Sequence, residues 1–267
     1  MATDSQQAVR AREVTDAEVT CYRDNGWVKL DRLIEPEVAA QLLTAAQELM
    51  GETGEAALRP GIDYDTVWFN DYHYPAREGR EPFASLTYGP DLGRDTQRFL
   101  ERPVAVRHYS DMLAVKLPAS AEKGAPTKAH QDGGIQFDRV GKTTFWIALN
   151  EIPPERGSMR FYSGSHKEGP LGDRSHDLFA DYPYLKERYP LSPPLHLQPG
   201  DATVHSQLVI HEAPANTSDA PRWAYITLYF PSDAKYSGRV FHGLDELGLV
   251  AGEPFDHPNF RTVHPAS

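Results

Sequence analysis

The sequence predicts a mainly β protein with flanking helices, its strands arranged as an antiparallel sandwich or jelly roll. Three observations support that class. After residue 100 the chain becomes a series of short runs rich in aromatic and β-branched residues. They are VAVRHYSDMLAVKL (104–117), TTFWIALNEI (143–152), SMRFYSG (158–164), DATVHSQLVIHEA (201–213) and RWAYITLYFP (222–231). Gly, Pro, Asp and Asn clusters separate them, as expected of turns between strands. No regular alternation of strand and helix is present, which argues against a doubly wound parallel sheet. The length of 267 residues suits one large domain of this kind, with its core over about 100–231.

The elements follow in chain order. Residues 1–14 are polar. TDAEVTCYRDNGWVKL then reads as a helix capped by Thr15 or Asp16, a stop at Asn25-Gly26, and a short strand. EPEVAAQLLTAAQELM (35–50) is the clearest helix, with Val38, Leu42, Leu43, Ala46 and Leu49 forming an apolar stripe. The stretches 51–96 and 164–199 read as variable loops, long enough to serve as lids over a site. No internal repeat and no low-complexity segment is present.

Composition narrows the function. Twenty-seven Lys and Arg stand against 38 Asp and Glu, a net charge of −11. That argues against nucleic acid and against an anionic membrane surface, and leaves a small-molecule substrate. The one cysteine, Cys21, allows no intrachain disulfide and no thiolate zinc site, and reads as a packing residue. No apolar run approaches the ~18–20 residues that span a bilayer. MATDSQQAVRAREVTD has no signal-peptide core. The expectation is a cytoplasmic protein, monomeric or a small homo-oligomer.

The chemistry centres on KAHQDGG (128–134), where His130 and Asp132 stand two apart and Gly133 and Gly134 follow. A His-x-Asp triplet alone is a common accident. A third ligand is offered by the run 201–213. If that run is one strand, His205, Gln207, Val209 and His211 share a face, and the two histidines lie about 20 Å apart. His211, at the strand end, reads as the ligand. His205 reads as a buried, hydrogen-bonded strand histidine. Two imidazoles and one carboxylate form the facial triad of non-heme Fe(II) oxygenases. Three positions stay open, two for a chelating 2-oxo acid and one for O2. Arg222 follows His211 by eleven residues (222 − 211 = 11) and offers a guanidinium fork for the far carboxylate of 2-oxoglutarate.

HQDGG (130–134), residues 145–171 and 200–223, and the opening YRDNGWVKLDRLI resemble the phytanoyl-CoA dioxygenase family over most of 17–231. The resemblance implies a double-stranded β-helix, the cupin-like jelly roll, and dependence on Fe(II), 2-oxoglutarate and O2. It implies iron on His130, Asp132 and His211, and Arg222 on the co-substrate. It places Lys116, Thr144 and Trp146 in the co-substrate pocket, and gives Gln131 a hydrogen bond to an iron-bound water or to substrate. His166 is family-like but reads as a loop stabiliser. Asp132 stands where related halogenases carry a small residue, which disfavours halogenation. On the substrate side, Trp68, Asn70, Tyr72 and His73 are expected in a lid, with Phe137 just after the iron motif. Aromatic walls with a few polar groups suit a ring-bearing or extended organic molecule. The expected reaction is a natural-product tailoring step: hydroxylation, or epimerisation, cyclisation or desaturation from the same hydrogen abstraction. An acyl-CoA hydroxylase and a catalytically silent binding protein are the rival readings.

Overall fold

The computed structural model describes residues 9–56, 69–119, 126–132, 141–171, 178–238 and 247–266. The chain opens with α1 (Asp16–Asn25). Thr15 caps it, accepting from the Glu18 N–H while the Glu18 carboxylate accepts from the Thr15 N–H. Gly26 ends it at φ 79°, a left-handed conformation that favours glycine. β1 (Trp27–Leu30) follows, then α2 (Pro36–Met50). α2 buries Val38, Ala39, Leu42, Ala46 and Met50, the helical stripe expected, with Leu43 and Leu49 at its margin.

The stretch read as a loop over 51–96 is corrected in its described part. It holds β2 (Asn70–His73), α3 (Phe83–Tyr88) and α4 (Pro90–Leu100). α3 and α4 are short and meet at Gly89–Pro90, a junction that reads as turn chemistry in sequence. Tertiary packing makes them helices: Phe83, Leu86, Leu92 and Phe99 are buried against the sheet.

The core strands are β3 (Val106–Lys116), β4 (Thr127–His130), β5 (Thr143–Ala148), β6 (Arg160–Phe161), β7 (Ala202–Ser206), β8 (His211–Ala213), β9 (Arg222–Pro231) and β10 (Thr262–His264). The described part of 164–199 holds a 3-10 turn (Ser165–Glu168) and two single α-helical turns, α5 (Leu178–Asp181) and α6 (Leu185–Arg188). The large antiparallel sheet runs β1-β7-β5-β9-β3-β10, with β2 also on β3. A small sheet runs β4-β8-β6. Together they form the curled, two-sheeted jelly roll that the strand spacing predicts.

The central strands β7, β5 and β9 of the large sheet are buried almost throughout, as expected where both faces are covered. Alternation sorts them. Phe145, Ile147, Trp223, Tyr225, Leu113 and Val115 pack with the helices. Trp146, Ala148 and Ala224 pack instead with Phe161, Val209 and Ala213 of the small-sheet side. Residues with the parity of Trp146 and Ala224 therefore face the space between the sheets.

One strand prediction fails, and the failure builds the site. The run 201–213 is not one strand. β7 belongs to the large sheet and β8 to the small one. The chain turns between them, with the Val209 N–H donating to the Ser206 carbonyl at 3.1 Å. The turn folds the two histidines together: the His205 and His211 rings are 4.6 Å apart, centre to centre.

Candidate active site

His130 ends β4 and His211 begins β8, and they are direct cross-strand partners with ring centres 4.2 Å apart. Each Nδ1 meets the carbonyl two residues upstream, His130 on Lys128 at 2.7 Å and His211 on Val209 at 3.1 Å. A carbonyl only accepts, so Nδ1 carries the hydrogen and Nε2 is the lone-pair nitrogen. Those Nε2 atoms lie 3.9 Å and 3.7 Å from Oδ1 of Asp132. One ligand atom from each of the three residues lies within 4.8 Å of the others. All three side chains are nearly closed to solvent, at 7%, 4% and 8% exposure for His130, His211 and Asp132. Two imidazole nitrogens and one carboxylate oxygen in a buried cluster fit a non-heme Fe(II) ion.

Asp132 is held tightly. Its N–H donates to the Gln207 carbonyl at 2.9 Å, and Lys142 Nζ donates to its carbonyl at 2.8 Å. Thr144 Oγ1 donates to Oδ2 at 2.9 Å, and His205 Nε2 lies 3.1 Å from the same oxygen. Burial opposes the charge on Asp132. The hydrogen bond from His205, with the nearby His211 and Lys142, outweighs it and holds the carboxyl well below the usual range.

The other end of the inter-sheet space is cationic. Arg222 and Lys116 are cross-strand partners on β9 and β3. Arg222 is 2% exposed. Its Nη1 donates to the Gly157 carbonyl at 2.6 Å, its Cζ sits 5.1 Å over the Trp146 ring, and its Nε is buried with no hydrogen-bond partner. Among the described residues it makes no ion pair. Burial pushes the guanidinium down to about 9. Lys116 is fully buried, and its Nζ donates to Thr127 Oγ1 at 3.2 Å and to the Pro214 carbonyl at 3.0 Å. Burial, and then the charge of Arg222, push it down to about 6. A buried guanidinium is costly without an anion, and it keeps the neighbouring amine from holding a proton of its own. The orphaned Nε is a donor that a carboxylate would take, so the pair fits the far end of 2-oxoglutarate.

The remaining predicted residues divide. Trp146 lies between the sheets beneath Arg222. Thr144 faces the same side but spends its hydroxyl on Asp132. Gln131 is corrected. Its Nε2 donates to the Gly169 and Leu208 carbonyls at 2.9 Å and 2.7 Å, and its Oε1 accepts from the Leu171 N–H at 2.9 Å. It ties loops together and is not turned to an iron-bound water. Asn70 and Tyr72 are corrected too. They pair with Val115 and Leu113, both on the helix-covered face, and opposed residues share a face. Asn70 donates to the Gly54 carbonyl, and the Tyr72 hydroxyl meets Glu78 at 2.8 Å. His73 has the opposite parity and is half-exposed, 3.2 Å from Asp71. Trp68 and Phe137 lie outside the described residues, as do Gly133 and Gly134. His166 sits on the α1 terminus, its Nε2 3.1 Å from the Arg23 carbonyl, where any side chain at Gly26 would collide with it.

His205 is the buried, hydrogen-bonded histidine expected, but sequence reasoning did not find its partner Asp132, and it missed Lys142. The first was hidden by the single-strand reading. The second carried no signal, because a lysine at a strand start reads as solvated surface.

A curled jelly roll with a buried two-histidine, one-carboxylate cluster and an anion-seeking arginine behind it defines the class of iron- and 2-oxoglutarate-dependent oxygenases. The phytanoyl-CoA dioxygenase (PhyH) family model matches residues 22–224, and the chain belongs to that family. The non-heme alpha ketoglutarate dependent carbocyclase SnoK from nogalamycin biosynthesis is similar at 27% identity and TM-score 0.77, over 92% of this chain and 95% of that one. The epimerase SnoN, solved with Fe3+, alpha ketoglutarate and nogalamycin RO, shares the fold at 22% identity and TM-score 0.77, over 93% and 98%. A phytanoyl-CoA dioxygenase domain-containing protein 1 homolog of Caenorhabditis briggsae is 36% identical over 94 residues. That match spans 31% of this chain and only about a third of the relative, 32%. No helix among the described residues is long and apolar enough to cross a membrane.

Proposed function

We propose that the protein is an Fe(II)- and 2-oxoglutarate-dependent oxygenase that tailors a small organic natural product or metabolite. His130, Asp132 and His211 hold the iron through Nε2, Oδ1 and Nε2. Arg222 binds the far carboxylate of 2-oxoglutarate, Lys116 adds positive charge beside it, and Trp146 walls the pocket. The iron and co-substrate, when bound, supply the oxidation: 2-oxoglutarate and O2 are converted to succinate and CO2, and a substrate C–H hydrogen is removed. The chain's own part is to aim that reaction and to keep water out.

The observation that carries this reading is the pairing of the two ends. A buried triad and a buried arginine with an orphaned Nε face the same space between the sheets. A small natural-product substrate is favoured by the 27% likeness to a carbocyclase over nearly its whole length. The single cysteine and the need to keep iron ferrous favour a reducing compartment, the cytoplasm.

Succinate release from 2-oxoglutarate tests the activity. The unchanged protein releases it with Fe(II) and O2, and Asp132→Ala does not. Retained turnover in that variant would move the iron elsewhere. A substrate screen by mass then separates the outcomes: about +16 for hydroxylation, about −2 for desaturation or cyclisation, and no change for epimerisation, nominal masses following from the chemistry of the cofactor.

A further inference from the structure

His205 is a third histidine at the site, 1% exposed and outside the ligand set. Its ring is fixed between Phe161, 5.5 Å away, and His211, 4.6 Å away. It is the direct cross-strand partner of Thr144 on β5, so the two side chains stand side by side on one face. Both aim at one atom, Oδ2 of Asp132, from 3.1 Å and 2.9 Å. An ionised carboxylate only accepts, so His205 donates its Nε2–H. Each carboxylate oxygen has about two lone-pair sites. Two donors fill those of Oδ2. Oδ1 is the oxygen turned to the two ligand imidazoles.

We propose that His205 and Thr144 act as a two-donor clamp that presents Asp132 to the metal through Oδ1 alone. His205 is a positioning residue, acting through Asp132. The clamp rests on the reading of His130, Asp132 and His211 as metal ligands. It keeps the carboxylate from taking a second coordination position, which the co-substrate or O2 needs. The Asp132 backbone is pinned as well, by Gln207 and Lys142, so the side chain has little other freedom.

The test uses Co(II) as the probe and requires no turnover. Co(II) affinity by calorimetry, and the visible Co(II) spectrum, are compared for the unchanged protein, His205→Phe, His205→Gln and Thr144→Val. The phenylalanine keeps the ring and loses the donor; the glutamine keeps a donor near the same point. Loss of an outer-shell partner typically weakens metal affinity about 10–100-fold. His205→Phe is expected to fall in that range with an altered Co(II) spectrum, and His205→Gln to recover most of both. Thr144→Val, which removes one donor with little change of shape, shows a smaller loss in the same direction and stands in if the phenylalanine variant does not fold. Unaltered affinity in the folded phenylalanine variant, or no recovery with glutamine, overturns the clamp. Failure of the unchanged protein to bind Co(II) at all would instead remove the ligand reading beneath it.

Discussion

At one end of the site, Asp132 has hydrogen bonds on its N–H, its carbonyl and Oδ2, all from the protein itself. At the other end, Arg222 spends Nη1 on Gly157 and keeps a buried Nε without a bond. The first end is finished by the fold. The second is finished by a ligand. A finished end is preorganised, and its parts hold their places whether or not the anion arrives. An unfinished end stores an electrostatic cost that the right anion relieves. The two ends therefore respond differently to mutation.

The largest effect is expected at the finished end. His211→Ala removes an iron ligand and lowers Fe(II) affinity by more than about 100-fold, beyond the loss of an outer-shell partner. Calorimetry under nitrogen measures it, and turnover goes with it.

The second prediction breaks the symmetry between the ends. Arg222→Met removes a buried cation and keeps an apolar stem over Trp146. Removing one member of a buried charge pair typically costs about 2–5 kcal/mol in binding, so KM for 2-oxoglutarate rises by about 30-fold or more. The melting temperature stays level or rises, because a buried charge is exchanged for packing. Fe(II) affinity without co-substrate is unchanged. A steep fall in melting temperature would mean that Arg222 is structural.

The third prediction concerns pH. Lys116 is pushed down to about 6, by burial first and by Arg222 second. A bound carboxylate favours its charged form and raises that value. Above pH 6 the free protein therefore holds Lys116 neutral, and binding takes up a proton. Affinity for 2-oxoglutarate falls as pH climbs above about 6. Calorimetry in buffers of different ionisation enthalpy reads the proton uptake, and Lys116→Met removes it.

The smallest effect lies on the opposite face of the same strands. Asp111 is buried among the helices and accepts from the Ala76 N–H and the Tyr225 hydroxyl. Burial raises its carboxyl from the ordinary 3.8 to about 6. The folded protein then binds the proton more readily than the unfolded chain, so stability falls as pH rises from about 4 to 6. Asp111→Asn removes that penalty and offers an N–H to His108 Nε2, 3.6 Å from Oδ1 and without a hydrogen-bond partner. Stabilisation of roughly 1–3 kcal/mol is expected at pH 7, fading below pH 4. Activity is unchanged. Denaturant titrations at the two pH values check it.

Much of this was legible in the sequence because it rests on short-range rules. The capped α1, the stripe of α2 and the β-rich texture after residue 100 all follow from local periodicity and turn chemistry. The cluster of His130, Asp132 and His211, which could hold a metal ion, and Arg222 are legible because these residues stand at or beside strand ends with distinctive spacing. What failed is long-range. Whether the run 201–213 stays in one sheet or crosses to another is decided by partners on β1, β5, β4 and β6, which no local pattern encodes. The strand parity of Asn70 and Tyr72 is set by register against β3, and a one-residue difference in register would reverse it. The same limit hid the partner of His205, Asp132, which lies 73 positions away in sequence.

The most direct test is an anaerobic titration of the protein with Fe(II) and then 2-oxoglutarate, followed in the visible spectrum. A metal-to-ligand charge-transfer band is expected to grow to saturation with 2-oxoglutarate, and to require far more of it in Arg222→Met. Iron that binds while 2-oxoglutarate raises no band would contradict the assignment of the two ends to one metal and one co-substrate.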